Sequence, residues 1–141
     1  MISLESHENR VEAWLKDAAK GLSSKQITDL VEAAIKALWD RIEFSINAVA
    51  IQAILDRALF IASERIPELR HLKVTEDGLD FTAIRAATLT EETLLAAYKC
   101  LVAEFISILG NLTANVFTEA LYQELTQVKI TARNKDKKND E

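Results

Sequence analysis

Two histidines, His7 and His71, one cysteine, Cys100, and 22 acidic side chains are the groups with which this 141-residue chain could do chemistry. The histidines fall in different segments, and neither belongs to a spaced ligand set of the kind a zinc site needs. Cys100 excludes an intrachain disulfide, and among Tyr98, Leu101 and Val102 it reads as a buried, inert thiol. Asp77-Gly78-Leu79-Asp80 places carboxylates around a glycine, as a calcium loop does. Val74, Thr75 and Glu76 stand where the alternating oxygen ligands should precede that glycine, so the segment reads as a turn. The adjacent carboxylates Glu91-Glu92 and Asp140-Glu141 have no neighbouring base or acid to work with. Neither a glycine-rich phosphate cradle nor a nucleophile elbow is present. The expectation is a protein that is not an enzyme, with no catalytic residue, no metal and no cofactor.

Composition narrows the remaining classes. Apolar residues make up 49% of the chain and charged residues 28%, the balance of a folded protein. Only three glycines and one proline interrupt it, while Ala, Leu, Glu and Lys, which lose little entropy in a helix, are plentiful. The net charge of −5 argues against a nucleic-acid partner, whose phosphates call for a basic face. The start, Met1 to Glu8, has acids where a signal peptide has bases, and Lys99 and Glu104 interrupt the most apolar stretch. A cytoplasmic protein without a membrane partner is expected.

The apolar spacing then gives the elements that must position any site. Val11, Trp14, Leu15 and Ala18 recur at helical spacing before Gly21, which predicts a first helix over 6–20. Ser23 or Ser24 caps a second helix over 24–44, whose stripe runs from Ile27 through Leu38 and Trp39 to Ile42. Phe44 to Ile51 is apolar nearly all round. Ser45 to Asn47 suits a break there, with a third helix over 47–66 that Pro67 terminates. Leu72 to Thr82 alternates apolar and polar residues about Asp77-Gly78, the pattern of a β-hairpin. Thr90, followed by two glutamates, opens a helix over 91–109; Gly110-Asn111 breaks it, and a last helix covers 112–127. Residues 129–141 read as a polar, disordered tail after a single helical domain at 1–128.

The fold class expected is therefore mainly α: a bundle of about five helices, with a short β-hairpin joining two helical halves. The halves resemble one another, with markers offset by about 67 residues at the capped starts and about 62 later on, a match that Ala/Leu-rich sequence also produces by itself. Function follows only as a class. Broad apolar circumference around Phe44 to Ile51 and Phe105 to Leu109 needs cover on several sides, and a second subunit could supply one of them. The expectation is a non-enzymatic interaction or regulatory module of signal-transduction type, acting as a homodimer. Phe44, Ile46, Val74, Leu79 and Phe81 are its candidate partner interface. The alternative is a small-molecule sensor or carrier, with Trp39, Tyr98 and Cys100 lining an apolar pocket. An enzyme with dispersed catalytic residues ranks last.

Overall fold

A computed structural model describes residues 2–129. The polar tail read from the sequence lies, beyond Lys129, outside these residues. Among them are six α-helices and one two-stranded sheet: α1 (Leu4–Ala18), α2 (Ser24–Ile42), α3 (Ala48–Arg65), β1 (Lys73–Thr75), β2 (Gly78–Asp80), α4 (Thr82–Ala86), α5 (Glu91–Leu112) and α6 (Thr118–Gln127). A 3-10 turn, Pro67–His71, links α3 to the hairpin. The chain is thus a helical bundle with a β-hairpin between its helices, as the spacing predicts.

Caps set most of the boundaries. Ser3, Ser23, Asn47 and Thr90 each stand in extended backbone, and each side chain accepts from a backbone N–H three residues on. At Ser23 the bond is reciprocated, because Gln26 Oε1 accepts from the Ser23 N–H at 3.0 Å. Gly21, with φ +79°, takes the left-handed turn that separates α1 from α2.

α5 organises the core. Buried residues run round nearly its whole circumference, including Tyr98, Leu101, Val102, Phe105, Ile106 and Leu109, and it packs on α1, α2, α3 and α6. At 22 residues it is long and apolar enough to cross a bilayer, but 72% of its apolar window is buried against those neighbours. A central core helix has that composition for the same reason a spanning helix does: no side of it meets water.

The second half departs from the sequence expectation. α5 does not stop at Gly110-Asn111; it continues to Leu112, and α6 begins at Thr118 rather than at 112. The break is the five-residue loop 113–117, where Ala114 and Asn115 take positive φ of 52° and 62°. Gly110 is inside the helix because the loop folds back on it. A Cβ there would lie 2.6 Å from Asn115 Oδ1 and 3.1 Å from Thr118 Oγ1. Gly110→Ala should therefore push Asn115 off its hydrogen bond with Thr118 (3.0 Å) and destabilise the protein by roughly 1–2 kcal/mol, measurable as a lower urea midpoint.

The hairpin is shorter than the sequence suggests, and its turn is shifted by one residue. Thr75 pairs with Gly78, so Glu76-Asp77 form the turn and Gly78, at φ +125°, opens β2. The Thr75 hydroxyl closes it, donating to Gly78 O and accepting from the Asp77 N–H at 3.1 and 3.2 Å. Val74 faces Leu79 in this register, and their face lies on the core between buried Leu72 and Phe81. Thr82, read as the end of the hairpin, instead opens α4, a sixth helix absent from the sequence reading. Asp80 Oδ1 holds the Thr82 N–H at 2.9 Å, and Ile84 anchors that short helix in the core.

Candidate interaction surface

Helix direction decides which residues meet. The hydroxyls of Thr28 on α2 and Tyr98 on α5 are hydrogen-bonded at 2.9 Å, and Ser24 and Leu94, one turn earlier on each helix, border the same hollow. The two helices are therefore parallel. Each runs fourteen residues beyond that contact, to Ile42 and to Leu112. The five-residue loops 43–47 and 113–117 that follow lie at one end of the bundle, with the starts of α3 and α6.

That end carries large apolar side chains left in water. Phe44 is 93% exposed, Val49 77%, Val116 73% and Leu112 66%. A fifth, Phe60 at 64%, lies further along α3, eleven residues past Val49 and hence on the same side of that helix. Four of these five lie in or next to the two loops 43–47 and 113–117.

The candidate interface read from the sequence is thus divided. Phe44 is the most exposed large apolar residue described. Ile46, two residues on, is half-buried against the core, as are Val74 and Leu79. Phe81 is buried, with its ring edge-on to Tyr98 at 6.3 Å between centroids, and presents nothing to a partner. Alternation gave the hairpin its correct apolar face; that face is covered by α2 and α3 of the same chain.

The three residues read as pocket lining are not brought together. Tyr98 and Cys100 are two apart on α5 and so point to opposite sides. Tyr98 is sealed against Thr28, and burial raises both its phenol pKa and that of the Cys100 thiol. Cys100 instead lies near Arg65. Trp39 borders a cleft of about 290 Å³ between α2 and the hairpin turn, shared with Glu32, Lys36, Asp40, Glu76 and Asp77. Neither Tyr98 nor Cys100 reaches it. Among the described residues no three His, Cys, Asp or Glu side chains are grouped as metal ligands.

No protein-family model, curated protein or solved structure significantly matches the chain. Its own geometry has to carry the functional reading.

Two polar clusters were not foreseen. His7, 1% exposed, shares a hydrogen bond with the Tyr122 hydroxyl, and the two rings stack with centroids 5.9 Å apart. Arg10 covers that tyrosine at 3.7 Å and reaches Glu119 at 2.7 Å, so α1 is clamped to α6. The pattern held a signal, since His7 stands four residues before Val11 and seven before Trp14 on the buried stripe. The second cluster joins α1, α3 and α5: Arg65 pairs with Glu8 at 3.0 Å and lies 4.0 Å from Glu104. Burial keeps the Glu104 carboxyl above its ordinary range, against the pull of Arg65. Both clusters join helices of one chain.

Proposed function

We propose that this chain is a non-enzymatic helical interaction module of regulatory type that acts as a homodimer. The observation supporting the reading is the five large apolar side chains left in water, Phe44, Leu112 and Val116 in or beside the loops 43–47 and 113–117, and Val49 and Phe60 along α3. Burying even part of such a surface stabilises a complex by roughly 25 cal/mol per Å² of apolar area, and a second copy supplies that partial cover most simply. Neither polar cluster competes as a reaction centre, because each is spent holding two or three helices together.

Light scattering across micromolar concentrations tests the reading. The expected mass is twice 15.8 kDa, and a strict monomer at tens of micromolar would remove its basis. A second reading, a small-molecule carrier, is favoured by the hollow of about 510 Å³ bordered by Thr28, Ile84, Leu89 and Leu94, with Lys25 and Arg85 at its rim. This is a different place from the pocket expected at Trp39, Tyr98 and Cys100. A ligand there should raise the melting temperature with the logarithm of its concentration over Kd, and Leu89→Trp, by filling the hollow from its half-buried border, should abolish the shift.

A further inference from the structure

α3 is covered by its own chain over only part of its circumference. One side packs on α5, and the hairpin and the 3-10 turn cover more. Val49, Ala53, Asp56, Arg57 and Phe60 remain exposed. The spacing of Val49, Ala53, Asp56 and Phe60 alternates four, three and four residues, the period of a helix seam that meets another helix. Beside Phe60 lies a hollow of about 470 Å³ bordered by Ala53, Asp56, Arg57, Leu59, Arg70 and Leu72. On this face Asp56 and Arg57, adjacent and of opposite sign, make no ion pair among the described residues, as is true of other exposed charges such as Lys16 and Glu64.

We propose that this exposed face of α3 pairs with the same face of a second copy, antiparallel, about a two-fold axis between Asp56 and Arg57. The inference rests on the homodimer reading and names its interface. A two-fold axis at that point sets each residue opposite its mirror in number. Asp56 of one copy meets Arg57 of the other, twice over, the small Ala53 meets the large Phe60, and at the edge Val49 meets the side chain of Glu64. The charges are self-complementary in that register, as an isologous contact requires, and each Phe60 ring has the partner's hollow beside Ala53 to enter. A parallel pairing would put Asp56 against Asp56. The antiparallel register is the one this charge pair selects.

Charge reversal gives the test. Asp56→Arg places two arginines against two in its homodimer, and Arg57→Asp does the same with acids. Each single variant should dissociate at least about tenfold more readily than the native chain in light scattering or sedimentation, at low salt. Mixing the two variants should restore dimers, because every cross-pair between them is then attractive. Both positions are exposed and make no ion pair among the described residues, so circular dichroism should show both variants folded. Phe44→Ser, which lies outside this pairing, should leave the native mass unchanged. Single variants that dimerise as tightly as the native chain, or a mixture that stays monomeric, would overturn the α3 interface. If Phe44→Ser dissolves the dimer while the charge variants do not, the copies meet at the end of the bundle: the homodimer reading then stands and this inference fails. A monomeric native chain removes both.

Discussion

Phe105→Ala should cost the protein about 3–5 kcal/mol of stability, the largest effect expected of any single truncation here. Phe105 is fully buried on α5, the helix that meets α1, α2, α3 and α6, so no neighbour can collapse into the space without leaving another contact. The cost adds the transfer of the ring to the cavity left behind. Phe44→Ala removes the same atoms from a side chain that is 93% exposed and should move the urea midpoint by no more than about 0.5 kcal/mol equivalent in the monomer. Measured together by equilibrium unfolding, the two phenylalanines separate core from surface. A similar cost at both would mean that Phe44 is covered in solution. A small cost at Phe105 would mean that α5 is not the centre of the core.

How much of this was legible in the sequence depends on how local each feature is. The caps at Ser23, Asn47 and Thr90 are set by residues within one turn: Thr90 stands where the sequence places it, Ser23 is one of the two serines it offers, and Asn47 falls in the break it sets at 45–47. The apolar face of the hairpin was equally readable, because alternation is a two-residue property. Gly110 misled for a non-local reason. A glycine at the end of an apolar stripe commonly stops a helix, but here it makes room for Asn115, five residues later. The turn slipped by one residue because Asp-Gly is a strong turn signal, yet the Thr75 hydroxyl holds the chain with Gly78 already in the strand.

The candidate site was legible in part, for a related reason. Periodicity shows that a helix is apolar on several sides but not which side its own chain covers. Phe44 and Phe81 look alike in sequence; one ends in water and the other against Tyr98. The face of α3 became visible only when α5, the hairpin and the 3-10 turn were seen to leave it open. The repeat between the halves also changes when read in space. Thr28 meets Tyr98, 70 residues later, and the ends of α2 and α5 and the starts of α3 and α6 keep that separation, whereas the starts of α2 and α5 are 67 residues apart and the ends of α3 and α6 are 62 apart.

The clamp between α1 and α6 makes stability fall in mild acid, through one residue. Burial is the main cause that lowers the His7 pKa below its ordinary 6.5, and the positive charge of Arg10 adds to it. Tyr122, its partner, is pushed up to about 12 by burial, so both rings are neutral at pH 7. The unfolded chain takes a proton at His7 near pH 6.5, and the native one refuses it until lower pH. The stabilisation is therefore complete above pH 6.5 and is lost as pH falls through the window below it. Melting temperature followed from pH 8 to pH 5 should decline more steeply for the native chain than for His7→Gln, which keeps a polar partner for the tyrosine and cannot charge. The carboxylates of Asp80 and Glu119, held below their ordinary range by Thr82 and Arg10, titrate beneath this window. Glu104, shifted upward, works in the opposite sense but is common to both proteins. Parallel curves for the two would show that His7 titrates alike in the folded and unfolded chains. Tyr122→Phe, by leaving the buried imidazole without its hydroxyl, should cost roughly 1–3 kcal/mol at pH 7. That loss should shrink under conditions that already detach α1, since the hydrogen bond it removes exists only while α1 is docked on α6.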